Sequence, residues 1–300
     1  MLNIKSLLIS GLVASCSAIS PAAIYDGGFS NDTGSRVELR IGNGGAGQSG
    51  LIRVLSDAFI RHAVARGAPH FHIEWYISDT TSSIKFLSSG DIDVGITYSP
   101  PAEDLAIKEG IAVAPSHYIF RDHFLLAGPK ANPARLSPDS DNIGTMLAKI
   151  SRSAETEQTS PPVRFLSRFD KSATNIKESG LWAAIGQVPW ATAYSTWYHQ
   201  FIAFPIRALT TAILLQEYTI TDRGTLLSLS ANLRNDVVVY KAGSDDADDP
   251  LLNPAHLLVG EKARNMAMAL AFAEWATSSE GQDVIKGFEK NGEVLYSGAP

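Results

Sequence analysis

The chain carries the sequence VELRIGNGGAGQSGLIRVL at residues 37–55, in which a glycine-rich turn separates two periodic segments. Apolar residues alternate through Val37–Ile41, which predicts a strand, and the pattern from Ser49 to Ala65 predicts a helix. Glycine lets the backbone come close to a ligand, and a helix start offers unpaired N–H groups to an anion. The segment predicts an α/β unit with a candidate anion site at residues 42–50.

Strands and helices continue to alternate after this unit, with strands expected at 72–77 and 92–97 and a helix between them at 82–88. Such alternation predicts a parallel sheet that is covered by helices on its faces. A further strand at 124–127 runs into Gly128–Pro133, GPKANP, where regular structure should break.

The breaks in the pattern suggest two lobes. Gly128–Pro133 is the first candidate hinge, and Asn253–Pro254 is the second. We expect the first lobe to comprise residues 36–128 and 253–300, and the second lobe residues 129–252. Helices should follow in the second lobe at 174–185 and 207–215, and two more should close the chain at 263–277 and 281–288.

The N-terminus reads as an export signal over residues 1–20, in which Lys5 precedes an apolar stretch and small residues. Residues 21–35 are rich in Gly, Pro, Asn and Asp, so we expect a flexible leader there. The only cysteine, Cys16, lies inside the signal, so cleavage after it would leave a mature chain without disulfides. A secreted protein is the first interpretation, and a periplasmic or lipid-anchored protein, held through Cys16, is the alternative.

Composition excludes several classes of function. With 45% hydrophobic and 19% charged residues, the 300-residue chain is neither disordered nor a transmembrane protein. A net charge of −6 argues against nucleic acid, which requires a clustered basic face. The seven histidines are scattered, and neither a G-x-S-x-G elbow nor an H-E-x-x-H motif occurs. We therefore expect that the protein has no metal site and no cofactor, and that it is not an enzyme.

A second group of hydrogen-bond donors lies at 167–174, SRFDKSAT, again between a predicted strand and a predicted helix. Arg168 offers a permanently charged, planar donor fork, and Ser172 and Thr174 add hydroxyls or cap the helix. Residues Thr80–Ser83, TTSS, at the start of an earlier helix, form a third candidate group, represented among the candidate site residues by Thr81 and Ser82. Asp170 bears on selectivity: a carboxylate that points into the site would favour protonated phosphate, and one that caps the helix would favour fully deprotonated oxyanions.

The glycine turn also matches G-x-G-x-x-G through Gly42, Gly44 and Gly47, so a nucleotide-dependent oxidoreductase is the alternative function. The match lacks the acidic residue about 20 positions further on that would bind a ribose. The Walker pattern fails as well, because Gln48 stands where lysine should be. A secreted interaction protein that has lost its ligand is the third possibility.

Several segments resemble the tungstate-binding component of bacterial tungstate ABC importers, a type II periplasmic binding protein. They occur in the same order from about Arg36 to the C-terminus: Ser49-Gly50-Leu51, Gly90–Val94 before Tyr98-Ser99-Pro100, Phe124–Pro133, Ser167-Arg168 with Asp170 and Ser172, Tyr218–Thr225, Asn253-Pro254 and Trp275–Gln282. The resemblance implies two α/β lobes with mixed sheets, joined by two hinge crossings, that close on tungstate or molybdate.

The resemblance implies that Arg168 and Ser172 face the anion from the second lobe and the 42–49 loop from the first. With the donor groups described above, the candidate ligand-binding residues are Asn43, Gly44, Gly45, Gln48, Ser49, Thr81, Ser82, Tyr98, Arg168, Ser172, Thr174 and Arg207. Gly42–Gly45 replaces a hydroxyl-rich run of the family, so backbone N–H groups and Asn43 would stand in for side-chain hydroxyls. Arg207 follows Pro205 where the family has a glycine-rich turn, and its charge would compensate or face solvent.

The implied partners are a small inorganic oxyanion and, in a bacterium, the membrane subunits of an ABC importer, with the binding protein itself a monomer. The segment 182–204 is more aromatic than the family pattern, which suits a secreted fungal homologue whose partner is unknown.

Overall fold

The computed structural model describes residues 19–29 and 36–300. The predicted cleavage region up to residue 18 and Cys16 lie outside the described residues. The strands are β1 (Ala23–Tyr25), β2 (Arg36–Asn43), β3 (Phe71–Ile77), β4 (Val94–Thr97), β5 (Ala112–Pro129), β6 (Phe165–Ser167), β7 (Tyr198–Gln200), β8 (Thr219–Asp222), β9 (Val237–Ala242), β10 (Leu252–Gly260), β11 (Glu289–Lys290), β12 (Glu293–Val294) and β13 (Ser297–Gly298). The helices are α1 (Gly45–Ser49), α2 (Leu51–Ala65), α3 (Thr80–Ser89), α4 (Pro100–Lys108), α5 (Ile143–Thr156), α6 (Ala173–Ala184), α7 (Pro205–Leu215), α8 (Arg223–Ser228), α9 (Ala231–Asn235), α10 (Met266–Thr277) and α11 (Ser279–Lys286).

The first sheet has the strand order β1-β3-β2-β4-β10-β5-β13. Its centre is parallel, because β2 pairs in parallel with both β3 and β4, while β10 runs antiparallel to β4 and β5. This confirms the predicted α/β fold with mixed sheets. Helices α2, α10 and α11 pack on the sheet around a core that includes Leu55, Phe59 and Phe272.

The prediction of a flexible leader at 21–35 is wrong for the described part of that segment. Residues 23–25 form β1, which pairs antiparallel with β3 through Ile24 and Glu74. Tyr25 is buried in the first core, and the N–H of Gly27 donates to Asp57 on α2 at 3.1 Å. Gly27 and Gly28 make the turn that follows this edge strand.

The second sheet forms around the far half of β5. There β5 pairs antiparallel with β8 on one side and with β9 on the other. A bridge between Phe165 and Tyr218 connects β8 to the small parallel pair of β6 and β7. A separate core lies under this sheet, with Trp182, Phe165 and Tyr218 among its largest side chains.

The strand β5 passes from one sheet to the other near His123 and Phe124. His123 still pairs with Leu252 of β10, and Phe124 already pairs with Asp222 of β8. Gly128, which we predicted as a hinge, lies inside β5 and pairs with Val238. The strand does end at Pro129, within the predicted break, but it changes partners a few residues earlier. We therefore propose lobe boundaries near residues 123 and 252, so that the first boundary precedes the predicted one.

A buried ion pair fixes the turn between α3 and β4 against β2. Arg40 and Asp93 are each about 2% exposed, and the guanidinium donates to both carboxylate oxygens, at 2.6 and 3.0 Å. The same guanidinium donates to the carbonyls of Gly90 and Asp91. Asp93 also accepts the backbone N–H of Arg264 at 2.7 Å, so both charges have their hydrogen-bonding capacity largely satisfied.

A second buried acid, Glu178 on α6, has no basic partner within salt-bridge distance among the described residues. The hydroxyl of Tyr198 donates to one of its oxygens at 2.7 Å, and the other oxygen has no hydrogen-bond partner. Burial raises the pKa of Glu178 to about 8, so the carboxyl is protonated in the folded protein at neutral pH.

We expect Glu178→Gln to stabilise the protein at pH 8 and to change its stability little near pH 4.5. Because the folded-state pKa is raised, the stabilisation from the bound proton is complete below the unfolded pKa of 4.5 and is lost as pH rises to about 8. That loss is on the order of 4 kcal/mol and is absent in the glutamine variant. Urea unfolding between pH 4.5 and 9 measures it, with exposed Glu155→Gln as the control. Parallel stability curves for the wild type and Glu178→Gln would contradict the expectation.

Candidate functional site

A small cavity of about 50 Å³, partly open to solvent, lies between the two lobes at the crossing strands. Both lobes and both crossings contribute to its lining, which consists of Gly44, Gly45, Gln48, Ser78, Asp79, Thr80, Ile96, Tyr98, Asp122, Phe124, Arg168, Ser172, Ala173, Thr174, Phe204, Pro205, Asp222 and Asn253. We call this space the cleft. Most of its polar groups lie at strand ends or helix starts, as expected for a ligand site in an open α/β sheet.

The glycine turn enters the cleft through Gly44 and Gly45. Two of its glycines are required by close packing: a Cβ on Gly44 would lie 2.8 Å from the carbonyl oxygen of Ser78, and a Cβ on Gly47 would lie 2.2 Å from the ring of Trp75. Gly50, with φ of 104°, separates the short α1 from α2. The helix predicted from Ser49 to Ala65 corresponds to α2, whereas the short α1 was not predicted and is set off from α2 by the left-handed conformation of Gly50.

The start of α3 forms the neighbouring wall in the first lobe. Asp79 caps this helix by accepting the N–H of Ser82 at 2.7 Å. Thr80 is 4% exposed, lines the cleft, and has a hydroxyl with no hydrogen-bond partner. An unpaired buried hydroxyl is costly unless a ligand bonds to it.

Tyr98 adds a phenol from the end of β4. Its oxygen accepts the side-chain N–H of Asn43 at 3.3 Å, and burial raises its pKa well above the usual value. The phenol therefore stays protonated, and its own O–H can donate into the cleft. Asn43 is completely buried and donates to the carbonyl of Ile96, so it supports the turn instead of lining the cleft.

Arg168 reaches the cleft from the second lobe, at the end of β6. It is 6% exposed, and it donates to the carbonyl of Ala203 at 3.2 Å, to the hydroxyl of Thr174 at 3.1 Å and to Asp170 at short range. A guanidinium has five N–H groups. Two of them are left for a ligand after these three bonds.

Two residues of the turn around Arg168 adopt left-handed backbone conformations, Phe169 at φ 41° and Lys171 at φ 63°. These conformations are costly for residues with a side chain and occur where a site requires them. Ser172 then caps α6 by accepting the N–H of Asn175 at 3.3 Å. The first turn of α6 thus faces the first turn of α3 across the cleft.

The floor of the cleft comes from the crossing strands. Asp122 on β5, Asp222 on β8 and Asn253 on β10 line it, and all three are at least nine-tenths buried. Asn253 donates to Asp122 at 3.2 Å, and its own carbonyl oxygen has no partner. The floor is therefore rich in acceptors, whereas the walls are rich in donors.

Seven of the twelve predicted site residues line the cleft together: Gly44, Gly45, Gln48, Tyr98, Arg168, Ser172 and Thr174. The structure places five outside it. Asn43 and Ser49 are buried supports, and Ser49 bonds to the carbonyl of Ala46 and to Tyr296. Ser82 lies two positions past the start of α3, with its N–H bonded to Asp79.

The other two are exposed. Thr81 lies at the rim, where its hydroxyl donates to the carbonyl of Lys171 in the opposite lobe at 3.2 Å. Arg207 is exposed, with its guanidinium 5.8 Å from the ring centre of Phe201. Of the two alternatives for Arg207, the structure agrees with exposure to solvent, because in the first turn of α7 Pro205 is buried and Arg207 faces outward.

Sequence reasoning missed the floor of the cleft. Asp222 carries only the signal of a helix cap, which it also is, and Asn253 was predicted only as part of a hinge. Asp122 carries no local motif, since it lies in the middle of a long strand. Only the pairing of Asp122 with Asn253, 131 residues apart, brings the floor together, and no local pattern reports such a pairing.

Within residues 19–29 and 36–300, no group of three or more His, Cys, Asp or Glu side chains is arranged to hold a metal ion. No helix in the same ranges is long and apolar enough to cross a membrane.

Two α/β lobes, joined by two crossings with a polar cleft between them, define a type II periplasmic binding protein. A family model described as a PBP superfamily domain matches residues 30–280. A relative, the tungstate-binding protein TupA of Peptoclostridium acidaminophilum, is 31% identical over 225 residues, which are 73% of this chain and 72% of the relative. The chain therefore belongs to the PBP superfamily and, within it, to the TupA family.

Two further similar proteins agree with this family. A relative in Haloferax volcanii, described as a candidate anion-binding protein of an ABC transporter, is 28% identical and covers 90% of this chain and 74% of its own length. A solved structure, described as a periplasmic candidate metal-binding protein, is 61% identical, with a TM-score of 0.85 over 93% of this chain and 99% of that one. All three are described as binding proteins, so the oxidoreductase alternative has no support among them.

Proposed function

We propose that this protein binds a small tetrahedral metal oxyanion, tungstate or molybdate, in the cleft, outside the cytoplasm. The observation that carries the proposal is the convergence of donors from both lobes: Arg168 and the start of α6 face Thr80 and the start of α3 across one cavity. The name of the tungstate-binding relative supports the choice of ligand class. A metal oxyanion also agrees with the metal-binding description of the 61% identical structure.

The count of donors is sufficient for a dianion. Arg168 has two uncommitted N–H groups, Thr80 and Tyr98 each have a hydroxyl, and the first turns of α3 and α6 contribute backbone amides. Helix starts also favour negative charge through their dipoles. Charge-assisted hydrogen bonds contribute about 1.5–3 kcal/mol each, so six of them offset the desolvation of a small anion.

The position of Asp170 favours fully deprotonated oxyanions. Its carboxylate accepts from Arg168 and from the backbone N–H of Ser172, and it does not line the cleft. Asp170 is therefore no free acceptor for the proton that phosphate keeps near neutral pH. Tungstate, molybdate and sulfate need only donors, so selectivity among these three anions depends on their size.

We also propose that the protein is exported and delivers its anion to the membrane subunits of an ABC importer. The apolar N-terminal stretch and the description of the archaeal relative as part of an ABC transporter support this placement. Expression of the full sequence followed by cell fractionation tests this placement. We expect the mature chain in the secreted or periplasmic fraction.

Titration calorimetry with tungstate, molybdate, sulfate and phosphate tests the ligand. We expect saturable binding of one tungstate or molybdate per chain and at least tenfold weaker binding of sulfate and phosphate. A rise in melting temperature that increases with tungstate concentration should accompany binding, because a ligand that binds only the folded state stabilises it by mass action. The absence of heat with all four anions would refute the proposal and favour a protein that has lost its ligand.

Thr80→Val should weaken tungstate binding about tenfold or more without destabilising the empty protein. Valine keeps the shape of threonine, so the variant removes a single donor that has no partner among the described residues. Calorimetry and thermal melting of the empty protein measure the two effects. Ser89→Ala, which removes an exposed hydroxyl at the other end of α3, is the control. Unchanged affinity in Thr80→Val would exclude this hydroxyl from the site.

A further inference from the structure

The cleft of a protein proposed to hold a dianion contains three carboxyl groups, from Asp79, Asp122 and Asp222. Asp79 is accounted for by the cap on α3. Asp222 is also accounted for, because both of its oxygens accept from Thr225, one from the backbone N–H at 2.7 Å and one from the hydroxyl at 2.6 Å. Asp122 has no comparable role in local structure.

Asp122 is 5% exposed and lies in the floor of the cleft. One oxygen accepts the N–H of His123 at 2.8 Å, and the other accepts the side chain of Asn253 at 3.2 Å. Among the described residues, no Lys, Arg or His nitrogen forms a salt bridge with Asp122 or Asp222. Two carboxyl groups without a counter-ion therefore share one buried region.

The other titratable groups around Asp122 do not supply that counter-ion. The pKa of Asp122 is raised first by burial and then by repulsion from Asp222 on β8. Arg223, at the start of α8, opposes this more weakly. Tyr98 and Tyr296 approach from β4 and from the C-terminal segment, and both have raised pKa values, so they are neutral. On β5 itself, Arg121 and His123 are turned to Asp245.

A dianion cannot enter this floor next to two ionised carboxylates without strong repulsion in a region that excludes water. Neutralising one of them removes most of that repulsion and supplies an O–H donor. Burial is the main reason why the pKa of Asp122 lies well above its usual range, and the charge of Asp222 is the second. Both oxygens of Asp222 are already engaged as acceptors by Thr225, so Asp122 is the carboxyl with a hydrogen to offer the cleft.

We propose that Asp122 faces the cleft as a neutral carboxyl and donates its hydrogen to the bound oxyanion, so that anion and proton are held together. This inference rests on the proposed function and adds a specificity-determining residue to it. A fully deprotonated dianion can accept this hydrogen bond and is favoured. An anion that keeps a proton, as phosphate does, would place its own hydrogen against that of Asp122 and is disfavoured.

The proposal fixes the sign of the pH dependence. Below the pKa of Asp122 in the empty protein, affinity is independent of pH. Above that pKa, binding must take up one proton, and the Kd for tungstate rises tenfold for each pH unit until the pKa in the complex is reached. An anion site without a titrating carboxyl shows no such rise.

The experiment measures the Kd for tungstate from pH 6.5 to 9.5 in the wild type, in Asp122→Asn and in Glu178→Gln. Asparagine keeps a neutral side chain with a donor N–H but cannot ionise. We expect Asp122→Asn to bind within about threefold of the wild type at pH 6.5 and with a constant Kd up to pH 9.5. Glu178→Gln, which removes another buried acid that does not line the cleft, should keep the slope of the wild type.

Calorimetry of the wild type in two buffers of different ionisation enthalpy, at pH 6.5 and pH 9, counts protons directly and needs no variant. Uptake close to one proton at pH 9 is the expected result. Tungstate binding with no proton uptake at any pH, or a pH slope that survives in Asp122→Asn, would overturn this inference and leave the proposed function standing. Preferential binding of phosphate that is lost in Asp122→Asn would make Asp122 an acceptor and overturn it as well. Failure of the wild type to bind any oxyanion would refute both.

Discussion

Arg168→Ala is expected to weaken tungstate binding by at least two orders of magnitude and to abolish most of the melting-temperature shift that the ligand produces. Two charge-assisted hydrogen bonds at about 1.5–3 kcal/mol each account for this loss. The variant also leaves Asp170 without its partner beside the cleft, which adds repulsion of the anion. Calorimetry and thermal melting with tungstate measure both effects.

Three further variants separate these contributions. Arg207→Ala removes an exposed arginine of the same lobe and should leave the Kd unchanged within about twofold. Arg168→Lys keeps the charge but loses the planar fork, so partial recovery indicates how much the geometry contributes. Arg168→Ala combined with Asp170→Ala removes the uncompensated carboxylate. Full affinity in that double variant would show that Arg168 only neutralises Asp170 and does not contact the anion.

Asp93→Ala is expected to reduce the free energy of unfolding by about 3–5 kcal/mol. The substitution leaves the guanidinium of Arg40 buried without a counter-ion, and the N–H of Arg264 loses its acceptor. Removing one partner of a buried ion pair costs far more than replacing the whole pair. Urea unfolding of the empty protein measures the change.

Two comparisons test the origin of this effect. Asp91→Ala removes a nearby, half-buried carboxylate but keeps the backbone carbonyl that Arg40 uses, so its cost should stay below about 1 kcal/mol. The double variant Arg40→Met with Asp93→Leu should recover a large part of the stability. A single Asp93→Ala variant as stable as Asp91→Ala would show that the buried charge is compensated elsewhere.

Much of the fold could be predicted because its units are local. The strand, turn and helix around Gly42–Gly50 follow from hydrophobic spacing and glycine, and the predicted helix at 174–185 corresponds to α6 at Ala173–Ala184. The edge strand β1 could not be predicted in the same way. Its three residues form a strand only because β3 offers an open edge, which is a tertiary interaction.

The residues of the candidate site also divide into those that local sequence predicts and those that only tertiary pairing brings together. Gly44, Arg168 and Ser172 could be found because each lies where a strand gives way to a helix, and such junctions collect donors. Asp122 and Asn253 could not, because only the register between β5 and β10 brings them together. Local sequence thus indicated the donors of the walls, and the acceptors of the floor required the three-dimensional structure.

The eighteen residues of β5 carry both sheets, and the strand changes partners within one step, between His123 and Phe124. An opening of the cleft would therefore have to twist or bend β5 near that step, next to Asp122. The strand β5 would then be the elastic connection between the two lobes. Dissociation of the anion would then depend on how easily the backbone at His123 and Phe124 deforms. Substitutions that make this point more flexible should increase the dissociation rate more than they decrease the association rate.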